Sequence, residues 1–292
     1  MSIEFNDDDF SSMQKAMEEE QKKSTFQSMY WNPQGEGAFP IRIISPLKQF
    51  GEKLFYQKRR IHYIGGKPIL CLNQTLKDKN GETHEAEDCP ICAKVKQLYR
   101  MYDKDTEETK IASSINAKDR FVARVVVRNK KTEDGQDDEA KPEFWEFGKK
   151  LYEYFFNQIQ LKEAGNFLSL KDGRDFNLVK KGTGRNTDYS ASCLSMKTSP
   201  VFTDVEKLKK LMEHLPDMEY SKLVEFKSRE EVERILNEFF MQDSAPTVTV
   251  TKPVEPDPLD PLAAAPTTSF NPLASEKEEK PADDIDALLS MI

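Results

Sequence analysis

Three of the chain's four cysteines and two of its three histidines fall within the 31 residues 62–92, and four of these five run in the order His62, Cys71, Cys89, Cys92. No other feature constrains the fold as strongly. Cys89-Pro-Ile-Cys92 is the knuckle spacing that lets two thiolates of one tight turn share a tetrahedral ion. Cys71 leaves a strand-like run, and His62 sits on the run before it. A Cys3His set is soft enough for zinc, and four protein ligands leave no open position for water or substrate, so one structural Zn2+ is expected. His84, in the charged loop between Cys71 and Cys89, is the rival fourth ligand; His62 is preferred because a strand position is more rigid. A redox reading of Cys89 and Cys92 fits poorly with the nearby Cys71 and with the absence of a βαβ pattern. Cys193, with small and apolar neighbours, is expected to be a core cysteine.

Around this cluster the pattern is mostly that of strands. Residues 39–45, 54–64, 69–72, 121–128, 143–149, 174–180 and 189–196 are candidates, with a hairpin over 54–72 turned by Gly65-Gly66. Helices are expected from an Asp88 N-cap to about Tyr102, over 150–163 with Leu151, Tyr154, Phe155 and Ile159 on one face, over 204–215, and after the capping pair Ser228/Glu231. The fold class is therefore β-rich α+β, a partly open barrel with helical elaborations and an embedded zinc subdomain over about 54–105.

Charge divides the chain into three. The formal net charge is -8, yet residues 1–20 and residues 244–292 each carry -6, which leaves +4 for 21–243. Residues 8–23 read as a thin amphipathic helix, either a frayed arm or a docking segment, followed by the basic-hydroxyl cluster Lys22, Lys23, Ser24, Thr25. Eight of the sixteen prolines lie in 244–292; such a segment buries too little surface to offset its ordering entropy and is expected to be disordered. Its end places Asp283, Asp284 and Asp286 before Leu288 and Leu289, the pattern of a docking peptide or of a solubilising tail. The domain plan is an arm over 1–25, a core over 26–243 and a linker with acidic tail over 244–292.

The core repeatedly mixes bases with aromatics, the combination that holds single-stranded nucleic acid through phosphates and stacked bases. The clusters are Lys58-Arg59-Arg60; Tyr99, Arg100 and Tyr102; Lys118, Arg120, Phe121 and Arg124; Trp145, Lys149 and Lys150; and Arg185 with Tyr189. Phe121 shares a strand face with Ala123, Val125 and Val127, so a core role is equally open. Period-two reasoning does not say which of Trp145 and its neighbouring rings faces out.

Catalysis is not expected. There is no GxxxxGK[ST] or GxSxG motif, Gly182-Thr-Gly184 lacks the third glycine of a dinucleotide loop, and three histidines leave little acid–base machinery. No run of 18 apolar residues occurs, and the acidic start is unlike a signal peptide, so a cytosolic chain with no membrane role is expected. A zinc-stabilised protein-binding adaptor without a DNA role is the remaining alternative.

The order His62…Cys71…Cys89-Pro-Ile-Cys92, the string Phe144-Trp145-Glu146-Phe147-Gly148-Lys149-Lys150, the strand Asn177-Leu178-Val179-Lys180 before a Gly/Asn/Tyr loop, and the acidic-leucine ending resemble the single-stranded-DNA-binding, helix-destabilising proteins of T-even-like bacteriophages. The resemblance implies an oligonucleotide-binding (OB) fold with a DNA cleft beside the zinc subdomain. It further implies cooperative head-to-tail self-association through the N-terminal arm, where Lys22–Thr25 would act, and a tail that recruits replication, recombination and repair proteins in the cytoplasm of an infected bacterium. By position Trp145 and Tyr189 match family tyrosines that contact DNA, Phe121 matches a tryptophan, and Tyr99 falls near a further tyrosine. Arg120 and Arg185 stand where aromatic residues would be expected.

Overall fold

One long strand, β7 (Lys118–Val127), organises the computed structural model, which describes residues 30–132, 134–161 and 165–243. From Phe121 to Val127 every residue is buried, because the strand is covered on both faces and so reads as an apolar run broken only by Arg124. Along one edge it pairs with β8 (Glu143–Gly148), from Arg120↔Gly148 to Val125↔Glu143. Along the other edge two strands divide its length. β3 (Tyr56–Ile64) pairs with residues 118–123, and β2 (Gly37–Ile43) with residues 125–127.

β2 then pairs with β9 (Phe176–Lys180), and β9 with β10 (Cys193–Leu194), while β1 (Tyr30–Trp31) runs parallel to the outer edge of β8. β4 (Lys67–Leu70) folds back on β3 as the expected hairpin. The result is an eight-stranded mixed sheet, with β5 (Leu76–Lys77) and β6 (Thr83–His84) forming a separate ladder. This is the β-rich mixed architecture expected from the strand pattern.

Two apolar centres matter for function. Ile41, Phe55, Phe121, Val125, Trp145, Phe147, Phe155, Phe176 and Leu178 pack into one, under α3 (Lys149–Leu161). The second surrounds the cysteine cluster. There the β3–β4 hairpin, α1 (Pro90–Met101), α2 (Glu107–Ile115) and α5 (Arg229–Asp243) join through Ile64, Ile69, Ile91, Val95, Leu98, Ala112, Ile115, Val232 and Leu236. α4 (Val205–His214) packs on a third group through Leu208 and Leu211.

Several expectations are corrected. Cys89, not Asp88, is the N-cap of α1, with Pro90 in the first turn; the thiol turn itself begins the helix. α2 was not expected, since only Thr109, Ala112 and Ile115 are buried on it; Thr106 caps it by accepting from Thr109 N. The strand expected over 189–196 shrinks to Cys193–Leu194, and Cys193 is exposed rather than core. On this two-residue strand Leu194 takes the inward position. Ile159 lies on the outer side of α3, 47% exposed. No helix among the described residues is long and apolar enough to cross a membrane. The calls on residues 1–25, on the helix over 8–23 and on residues 244–292 lie outside the described residues.

Candidate nucleic-acid interface and metal centre

Strand β3 carries the metal cluster and the basic surface together. Its even-numbered side chains include Lys58, Arg60 and His62, so the two cations and the imidazole share one face of the strand. His62, Cys71, Cys89 and Cys92 bring one ligand atom each to within 4.8 Å of one another. His62 Nε2 lies 3.5 Å from both Cys89 Sγ and Cys92 Sγ, and Cys71 Sγ is 3.5 Å from Cys92 Sγ. A zinc tetrahedron with metal–sulfur bonds of about 2.3 Å has edges of about 3.5–3.8 Å, so the spacing and donor chemistry fit that ion.

The His62 Nδ1–H donates to Ile115 O at 2.8 Å, which fixes the tautomer that turns Nε2 toward the thiols. Hydrogen bonds from Cys71 and then Cys92 push the Cys89 thiol well below its ordinary value, and the bond with Cys89 pushes Cys71 above its own, so the sulfurs share their protons as one cluster. His84, the rival ligand, is occupied elsewhere. Its ring stacks on Phe226 at 3.8 Å, and its Nε2 lies 3.2 Å from Leu72 O.

Beside the cluster is a groove of about 750 Å³ lined by Lys58, Arg60, Asn116, Ala117, Lys118, Asp119, Arg120, Gly148 and Lys149. Five of these residues are cationic and one is a carboxylate; by register Lys58, Arg60 and Asp119 lie on one face of the β3–β7 pair, and Lys118 and Arg120 on the other. Three backbone segments converge to make it: β3, the α2–β7 corner, and the β8–α3 junction. Tyr63 orders two of the cations. Its hydroxyl accepts from Arg120 Nε at 3.2 Å, and Lys118 Nζ lies 5.8 Å from its ring centre. Lys58 pairs with Asp119 at 2.8 Å and Lys149 with Glu153 at 3.6 Å, all on exposed side chains. Such pairs contribute only about 0.2–1 kcal/mol, so a phosphate can displace the carboxylates. Burial raises the Glu146 carboxyl above its ordinary range, although Arg120 and Arg59 pull it down.

Of the residues expected to meet DNA, the groove gathers Arg60, Lys118, Arg120 and Lys149. Four others lie elsewhere. Arg59 is 3% exposed and is spent on Tyr30 Oη, Tyr220 O and Leu223 O, at 2.8, 3.1 and 3.2 Å. Arg124 is fully buried, bidentate to Glu52 at 2.7 and 2.5 Å, with its guanidinium 4.0 Å from the Tyr220 ring centre. Both point to the sheet face opposite Lys58 and Arg60.

Phe121 and Trp145 are core rings, 3% and 2% exposed, in the stack that includes Phe147. Tyr99 and Tyr102 are exposed at the end of α1, and Lys150 is exposed on α3. Tyr189 is half-buried against the first core, and Arg185 lies in the short helical turn Gly184–Asn186. Tyr99, Tyr102, Lys150 and Tyr189 do not line the groove. Lys58, from the same basic cluster as Arg59, does line it. Period-two alternation could have found it, since Lys58 and Arg60 must share a face that Arg59 cannot.

No curated protein matches the chain in sequence. A family model described as gp32 DNA binding protein like matches residues 56–240, more than half of the chain, and its span takes in the whole cysteine–histidine cluster and the whole basic groove. The chain belongs to the gp32-like family of DNA-binding proteins.

Proposed function

We propose that the chain binds and coats single-stranded DNA, with the phosphates seated along Lys58, Arg60, Lys118, Arg120 and Lys149. The observation that carries this reading is the convergence of those five cations from three segments in a protein whose net charge is -8. Local basic charge set in an acidic chain steers a polyanion to one place. The groove holds no ordered row of base-reading side chains, which fits contact with backbone and weak sequence preference. The reaction is binding alone, with no catalytic step.

The four ligands would hold one zinc ion that is structural. It would fasten the β3–β4 hairpin to α1 and, through the His62–Ile115 hydrogen bond, to the corner where the groove begins. The eight-stranded mixed sheet is read as an oligonucleotide-binding fold. Lys22–Thr25 would serve head-to-tail self-association along the strand. The acidic end would compete with DNA for the groove when free. When displaced, it would offer Asp283, Asp284, Asp286, Leu288 and Leu289 to replication, recombination and repair proteins in the cytoplasm of a phage-infected bacterium.

The test is fluorescence anisotropy of labelled oligo-dT and of a duplex of equal length, titrated with the full chain. Tighter binding of oligo-dT supports the reading, and equal affinity for both sinks it.

A further inference from the structure

The basic groove does not end at Lys149; an aromatic row continues from it. Phe121, buried on β7, stacks flat on Tyr152 of α3, with ring centres 4.3 Å apart and 3° between planes. Tyr56 sets its edge against both rings, at 5.4 and 5.5 Å. Tyr152 is followed one turn later by Phe156, 6.3 Å away and tilted by 30°. Phe156 is 48% exposed. Tyr152 and Phe156 are spaced i, i+4, and Lys149 is three residues before Tyr152, so all three share one strip of the helix surface. On the sheet side, Lys58 is the cross-strand partner of Phe121, which places it on the face that Tyr152 covers.

A lone exposed phenylalanine is ordinary and calls for no explanation. Here, however, the exposed ring is the outer member of a row in which Tyr152 is stacked on the buried Phe121, and the row begins beside two groove cations. The inner rings hold Tyr152 in one orientation, so little conformational freedom is lost when something lies against the row. A flat apolar face beside a row of cations is complementary to one occupant, a strand with phosphates on one side and bases on the other.

We propose that Tyr152 and Phe156 form a nucleobase-stacking platform that continues the Lys58–Lys149 groove. This deepens the single-strand reading and rests on it. The two buried rings expected to meet DNA, Phe121 and Trp145, then act from beneath, Phe121 directly under Tyr152 and Trp145 through Phe147.

The test uses the full-length chain, oligo-dT, and an abasic oligonucleotide of equal length. Phe156→Ala is expected to weaken oligo-dT binding about tenfold, equivalent to about 1.4 kcal/mol, with the salt dependence unchanged and abasic binding hardly altered. Phe156→Trp is expected to keep the affinity and to gain a fluorescence signal that oligo-dT quenches and the abasic strand does not. If Phe156→Ala binds oligo-dT as the wild type does while Lys58→Ala still weakens binding, the platform is refuted and the groove stands. If Phe156→Ala leaves DNA affinity intact but lowers self-association of the DNA-free chain in sedimentation, the row is a contact between copies and the proposal fails. If the wild-type chain does not bind oligo-dT at all, groove and platform fall together.

Discussion

His62 donates a 2.8 Å hydrogen bond from Nδ1 to the carbonyl oxygen of Ile115, and the next five residues of the chain, Asn116 to Arg120, line the basic groove. The imidazole that faces the thiols with one nitrogen thus holds the groove wall with the other. Metal loss would act at both places.

Cys89→Ser with Cys92→Ser is therefore expected to abolish zinc binding and to loosen more than the hairpin. In the structure α5 packs Val232 and Leu236 into the core around the cluster, and Arg229 donates to Asp88 O at 3.2 Å. Amide exchange should rise in β4, α1 and α5 together while β9 stays protected. Stoichiometric zinc in the double variant refutes the ligand assignment.

Asp119 is the one carboxylate among the residues lining the groove. Asp119→Asn frees Lys58 and removes a repulsion, so oligo-dT affinity should rise several-fold at low salt, with the gain fading as salt screens it. Unchanged low-salt affinity would show that the strand does not pass Asp119.

Arg124 was expected at the DNA surface, but its burial against Glu52 makes it a stability residue. Arg124→Ala leaves the Glu52 carboxylate without its partner, which costs about 3–5 kcal/mol in such settings. Chemical denaturation should show that loss, while the folded fraction binds oligo-dT with normal affinity. A stable variant with weakened binding would reverse the assignment.

Deleting residues 244–292 removes nine acids and three lysines. If the tail competes for the groove, truncation tightens DNA binding at low salt, the advantage shrinks at high salt, and capture of replication proteins is lost. Identical low-salt affinity with and without the tail ends the competition idea.

The cluster was legible because spacing and donor type are strong constraints: Cys89-Pro-Ile-Cys92 permits few geometries, and His62 was preferred over His84 on rigidity alone. Strands β2, β3, β7 and β8 were legible from apolar and β-branched runs. The groove was only half legible. Basic clusters were visible, but which member of Lys58-Arg59-Arg60 faces out depends on the β3–β7 register, and a cross-strand pairing cannot be read from one strand. Arg124 misled because a buried arginine is justified by distant partners, Glu52, 72 residues away, and Met218 O, 94 residues away. Phe121 and Trp145 misled for a related reason: α3 covers them, and its apolar residues run round both sides, so Ile159 was placed inward and the outward strip of Tyr152 and Phe156 was passed over.

The central claim is that the strand's phosphates lie in the groove, and the salt dependence of oligo-dT binding tests it most directly. Lys58→Ala, Arg60→Ala and Lys149→Ala combined remove three exposed or half-buried cations of the groove. Each phosphate contact contributes about 0.7 to the slope of log affinity against log salt for single strands. The account predicts a slope shallower by about 2 than that of the wild type, with the fold and the metal content intact. An unchanged slope in a folded, zinc-loaded triple variant would contradict it.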